Sequence, residues 1–268
     1  MPKEGKMIND VERFPIWRFT EKGKNNIVDV VAKEFPLIIT LNNQEVVTSL
    51  CSPQNLDYLA IGFLVSEGLI RSKDDIKKIA VDQQRGVVQV ETEKDIQLVS
   101  QPPFKQVVTS GGGRGTAYHH TPDARGKAKV ESDIEISAHE VFALIGEFVQ
   151  RSAVFKATGG VHSAALCDTK SILVFSEDIG RHNAIDKVFG ECMLNDIPTA
   201  GRLIITSGRV SSEILLKVAK RNIPLLVSKS APTDLGVRLA SDLGVTLIGF
   251  ARGKKMNLYT NEWRLRGG

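Results

Sequence analysis

Four short polar runs in the second half of this 268-residue chain carry side chains suited to binding an anion: Ser176 to Asn183, Ser207 to Ser212, Lys229 to Asp234, and Phe250 to Lys255. The first includes Asp178, Arg181 and His182, the second Ser207, Gly208 and Arg209, the third Ser230, and the last Phe250, Ala251, Arg252, Gly253, Lys254 and Lys255. Guanidinium groups grip phosphate oxygens through paired N–H donors, while glycine and serine let backbone amides and hydroxyls come close. Arg181, Arg209, Arg252 and Lys255 beside such residues therefore point to a phosphate or guanine-nucleotide group. Taken singly, each run is also an ordinary turn, and Thr233 or Asp234 serves equally well as a helix cap.

His162 and His182 are expected as ligand contacts or structural hydrogen-bonding groups rather than metal ligands. Zinc deaminase chemistry needs His-x-Glu at one helix start and Pro-Cys-x-x-Cys at another. The corresponding positions read His182-Asn183-Ala184 and Ser207-Gly208-Arg209-Val210-Ser211, with neither glutamate nor cysteine, so no metal site is expected. The glycine run Thr109 to Gly115 reads as a linker or as a backbone nest for an anion. No helical periodicity follows it, which excludes a P-loop and a dinucleotide fingerprint. The three cysteines, Cys51, Cys167 and Cys192, are odd in number and widely spaced. They are expected to be buried and inert in a reducing compartment.

A formal charge of +4, from 35 basic against 31 acidic residues, mildly favours anionic ligands and is too small to predict nucleic-acid binding. No apolar run is long enough to span a bilayer and the charged N-terminus carries no leader-like stretch, so the expectation is a soluble, cytoplasmic protein without membrane or nucleic-acid partners. With 42% hydrophobic residues the chain can bury a full core.

The elements that must position these residues follow from periodicity. Residues 1–108 read as an N-terminal β-rich subdomain with one helix: strands at 26–31, 37–41 and 45–50, a helix opened by Ser52-Pro53 and closed near Gly68, and a hairpin at 76–81 and 87–91. Residues 109–136, rich in glycine and polar side chains, read as a long flexible loop and domain boundary. From 137 the texture becomes α/β. Ser137 and Glu140 form a capping box, strands are expected at 161–166, 172–175, 203–206, 225–228 and 245–250, and helices at 181–194, 211–220 and 233–243. Such alternation implies parallel crossovers, a mixed sheet and helices on both faces, with ligands collecting at the carboxyl ends of the strands.

The blocks Thr158 to Leu166, Glu177 to Lys187, Ser207 to Glu213, Ser228 to Leu235 and Gly249 to Arg252, in that order, resemble the signature blocks of the formate dehydrogenase accessory (sulfurtransferase) family. The resemblance implies a cytidine-deaminase-like three-layer domain without zinc, usually homodimeric. It implies binding of the molybdenum cofactor in its bis-molybdopterin guanine dinucleotide form, for which a guanine nucleotide is a partial mimic, through Phe250 to Lys255 and the other strand-end blocks. It further implies sulfur taken as a cysteine persulfide from a cysteine desulfurase and delivered for the formate dehydrogenase catalytic subunit. The glycine run departs from that pattern: the family's loop cysteines fall on Gly111 and Arg114, neither of which can form a persulfide. A cofactor-binding chaperone that carries no sulfur is the alternative reading.

Overall fold

The structure, a computed structural model, describes residues 10–93, 107–108 and 129–267. Its first element is a ribbon of two antiparallel strands, β1 (Val11–Thr20) and β2 (Gly23–Ala32). Only residues 26–31 of it are expected from the sequence. Phe14, Trp17, Phe19 and Val28 are all exposed on it, so it lacks the buried face that period-2 alternation reveals.

A five-stranded sheet follows, built from β3 (Phe35–Leu41), β4 (Gln44–Cys51), β5 (Ile76–Asp82), β6 (Val87–Thr92) and β7 (Val107–Val108) in the order β5-β6-β3-β4-β7. Asn42 and Asn43 turn β3 into β4 with φ values of 48° and 64°, the left-handed pair that a two-residue hairpin turn demands. The helix of this part, α1 (Leu56–Ser66), begins later than Ser52-Pro53 suggests, after Asn55 at φ 53°. Ser52 is drawn elsewhere: its N–H donates to Asp178 Oδ2 at 3.0 Å and its hydroxyl accepts from Ile179 N–H at 3.1 Å. A tertiary contact has claimed the side chain that a helix start would otherwise use.

The rest is three layers. A mixed six-stranded sheet runs β10-β9-β11-β12-β13-β14, from β9 (His162–Cys167), β10 (Ile172–Asp178), β11 (Leu203–Thr206), β12 (Leu225–Ser228), β13 (Thr246–Arg252) and β14 (Lys255–Thr260). β11, β12 and β13 are parallel and the other pairs antiparallel. On one face Ala164, Leu166, Ile204, Leu226 and Leu247 pack under α4 (Arg181–Leu194), α5 (Ser212–Ala219) and α6 (Asp234–Asp242). On the other, Ala165, Ile205, Val227 and Ile248 pack against α2 (Ala138–Arg151), whose capping box forms as expected: Glu140 N–H donates to Ser137 Oγ at 3.2 Å and Ser137 N–H to Glu140 Oε2 at 2.7 Å. Covering both faces makes the strands continuously apolar.

Two elements lie outside the sequence expectation. The single turn and a half of α3 (Ala153–Thr158) is too short to show a period, and β14 is mostly exposed, with Met256, Leu258 and Tyr259 interrupted by polar residues. Of the expected boundary segment 109–136, residues 109–128 lie outside the described residues. From Lys129 the chain is anchored: Val130 is buried and bonds Leu243 O through its N–H, Arg264 donates to its carbonyl, and β8 (Ile136–Ser137) pairs with β15 (Leu265–Arg266).

The β-rich part and the three-layer part are locked together where α1 crosses α4. A Cβ on Gly62 would stand 1.7 Å from the Asp186 carbonyl oxygen, and one on Gly190 would stand 1.9 Å from that of Tyr58, so only glycine permits this backbone-to-backbone approach. Around the crossing lies a buried polar network. Lys187, 1% exposed, donates from Nζ to Asp178 Oδ2 at 2.7 Å and to Ser52 O at 3.1 Å. Asn183 donates to Leu50 O and Asp178 Oδ1, both at 2.9 Å, and Ser66 Oγ donates to Asp186 Oδ1 at 2.6 Å. Lys217 completes the Asp186 carboxylate at 2.6 Å.

Candidate functional site

The parallel strands β11, β12 and β13 end on one edge of the sheet, where the antiparallel β9 begins and β10 ends. An open cleft of about 540 Å³ lies there, lined by Phe155, Gly159, Gly160, Val161, His162, Ile179, Ser207, Lys229 and Arg252. That volume is in the range of small-molecule sites. The cleft lies at the edge of the sheet to which the strand-end rule points.

Ser207, directly after β11, anchors the floor. Its Oγ accepts the Ser163 N–H at 2.9 Å and sits 3.3 Å from His162 Nδ1. Burial first, and then the Arg181 charge, hold the His162 imidazole below its ordinary pKa. Gly208 is buried against Arg181, and a Cβ there would stand 2.8 Å from the Arg181 Cβ. Glycine therefore lets the arginine stem lie across the loop. Burial lowers the Arg181 pKa, with the neighbouring Arg209 adding to it, and the buried Arg181 Nε has no hydrogen-bond partner among the described residues. Two neighbouring guanidinium charges favour an anion.

Lys229 follows β12. Burial, then Arg252, lower its pKa, and its Nζ stands 5.9 Å from the centre of the Phe155 ring. Arg252 donates from Nε to Lys229 O at 2.7 Å, fixing the guanidinium at the rim. The run Phe250 to Lys255, expected as a polar loop after the last strand, instead holds the end of β13, a turn at Gly253 with φ 56°, and the start of β14. Phe250 itself has φ 52°, a left-handed conformation that a bulky residue adopts only under constraint, and its N–H donates to Ser230 O at 3.0 Å. Gly253, Lys254 and Lys255 are exposed beside Arg252, while Ala251 points into the core.

Of the residues singled out in the sequence, the fold brings His162, Ser207 and Arg252 into the cleft, backs them with Gly208 and Arg181, and holds Ser230 as a backbone brace. Arg209 is exposed beside Arg181. Asp178 does not face the cleft: it is completely buried, and its two oxygens accept from Ser52, Gly180, Asn183 and Lys187. His182 is also buried, its pKa pushed down to about 2 by burial with Lys217 and Arg181 adding, and its Nε2 lies 3.6 Å from Glu213 Oε2. Gly111 and Arg114 lie outside the described residues. Sequence reasoning did not single out Lys229 or Phe155. Lys229 had a usable signal, a lysine directly after a strand, whereas Phe155 lies on a helix too short to be read.

All three cysteines are buried. Burial, then the Asp178 charge, push Cys51 up to about 12, and burial, then Glu191, do the same to Cys192. Burial also raises Cys167. Among the described residues no cluster of three metal-ligating side chains occurs, and no helix is long and apolar enough to cross a membrane.

Residues 32–266 match the model of the FdhD/NarQ family. A protein named sulfur carrier protein FdhD from Bacillus subtilis is 41% identical over 94% of this chain and 96% of its own length. One of the same name from Geobacillus kaustophilus is 42% identical over 95% and 97%. The crystal structure of a protein described as a formate dehydrogenase accessory protein, from Desulfotalea psychrophila, superposes with a TM-score of 0.79 at 26% identity, covering 96% of this chain and 99% of that one.

Proposed function

This chain belongs to the FdhD/NarQ family, and from that premise we propose that it is a maturation protein for formate dehydrogenase which holds an anionic, guanine-nucleotide-bearing molybdenum cofactor as cargo in the strand-end cleft. The convergence of Arg252, Lys229, Ser207 and His162 on one open cavity carries this reading. The cleft suits one guanine-nucleotide arm, with the phosphates against the cations. The mixed sheet between helical layers is in keeping with the cytidine-deaminase-like description of this part. The reading includes a cytoplasmic setting, a homodimer, a cysteine desulfurase as the source of sulfur and the formate dehydrogenase catalytic subunit as the recipient.

The relatives are named as sulfur carriers, and carrying sulfur on protein requires an accessible thiolate. Each thiol of this chain is buried and shifted towards its protonated form. In this chain the binding role is therefore better supported than the persulfide role, which favours the cofactor-holding chaperone over the sulfur donor.

Thermal unfolding with GDP, pyrophosphate and authentic cofactor tests the binding role. Ligand that binds only the folded state raises the midpoint, and Arg252→Ala is expected to weaken binding by about tenfold, the effect of losing one charge-assisted contact. No shift with any of the three ligands refutes the proposal.

A further inference from the structure

The cleft has an aromatic wall that the cationic residues leave unexplained. Phe155 is 42% exposed and lines the cleft. Its helix is pinned from below: the Glu177 carboxylate accepts the N–H groups of Val154 and Phe155, each at 3.0 Å. Thr158 Oγ1 donates to Val154 O at 2.8 Å and accepts from Gly160 N–H at 3.0 Å, closing the turn through Gly159 at φ 66°. The ring is thus presented by a braced backbone, with the Lys229 ammonium over it, 5.9 Å from its centre, and the Lys229 carbonyl in turn accepting from Arg252 Nε.

An exposed ring next to a row of phosphate-binding groups has the two parts that nucleotide recognition needs: a flat apolar face for a base and cations for its phosphates. We propose that Phe155 is the stacking platform for the purine base of the bound nucleotide, with Lys229 at the junction between base and phosphates and with Arg252, Ser207 and His162 on the phosphate side. This rests on the reading of the cleft as a nucleotide site and adds where the base lies. Because every purine offers the same π-face, the ring supplies affinity and orientation but does not itself tell guanine from adenine.

Titration of the full-length protein with GDP and with pyrophosphate, followed by calorimetry, separates base from phosphate binding. Phe155→Ala is expected to weaken GDP by about tenfold, to leave pyrophosphate within about twofold, and to weaken ADP by a factor similar to that for GDP if ADP binds. Phe155→Trp, which enlarges the platform, is expected to bind GDP at least as well as the wild type. If wild-type protein binds neither GDP nor pyrophosphate, the nucleotide reading of the cleft fails as a whole. If wild-type protein binds GDP but Phe155→Ala binds it equally well, the stacking assignment alone is overturned. Equal losses for GDP and pyrophosphate, or a Phe155→Trp variant as weak as Phe155→Ala, overturn it too, because they mark a structural role for the ring.

Discussion

Replacing Lys187 with methionine tests whether the block from Glu177 to Lys187 serves the joint between the two halves. Methionine keeps an unbranched stem of similar volume and removes only the charge and its donors. Asp178 then loses its 2.7 Å partner while still accepting from Ser52 and Gly180 N–H and the Asn183 amide, and Ser52 O loses its 3.1 Å donor. Removing one partner of a buried ion pair costs about 3–5 kcal/mol because the other charge stays in a poorly solvating interior. Three remaining donors place Lys187→Met at the lower end, about 3 kcal/mol, a fall of roughly 6–12 °C in Tm for a chain of this size. Urea or thermal unfolding followed by circular dichroism measures it. Asp178→Asn on its own presents an amide N–H₂ to the Ser52 N–H or the Gly180 N–H and is costly too. The double variant is expected to cost less than the sum of the singles by about 1.5 kcal/mol or more. A Lys187→Met loss below about 1 kcal/mol, or strict additivity in the double variant, refutes the joint as described.

Two further outcomes follow from burial. Native protein at pH 8 is expected to resist iodoacetamide at Cys51, Cys167 and Cys192 and to label at all three once unfolded, read by intact mass; the same protein incubated with labelled cysteine and a desulfurase is expected to take up no sulfur. Rapid native labelling of any one of them would return the persulfide role to this chain. Asp10 is buried with an unpartnered Oδ1, and its pKa is pushed from 3.8 up to about 6 by burial, opposed by Lys187 and Lys33 and reinforced by Glu177 and Asp178. A carboxyl whose pKa is raised on folding binds more protons folded than unfolded between those two values, so its contribution weakens stability as pH rises through that window. At about 1.4 kcal/mol per pH unit the effect is roughly 2–3 kcal/mol. Asp10→Asn should therefore gain stability over the wild type between pH 4 and pH 7 in denaturant titrations, and a constant difference across that range would show that Asp10 is not the group responsible.

Much of this was legible before any fold was known. The alternation after Ser137, the capping box of Ser137 and Glu140, and the Asn42-Asn43 turn are local features in which the chain's own spacing fixes the geometry, and all of them form. The edge of the sheet that carries the cleft was also readable, since parallel strands bring their carboxyl ends together wherever crossovers are right-handed. The ribbon β1–β2 and strand β14 were hard to read because their exposure erases the alternation that betrays a strand.

The sequence by itself determined which residues arrive at the strand ends, because those positions depend on local periodicity and on rules of connection. Only the tertiary structure decided what each does there. Asp178 reads as a ligand-binding residue until Ser52, more than a hundred positions away in sequence, is seen to donate to it in the buried joint. Phe155 goes unmarked in the sequence until its short helix presents the ring to the cleft. Burial is a property of what packs on top, and a linear pattern carries no record of a partner that the chain supplies from so far away.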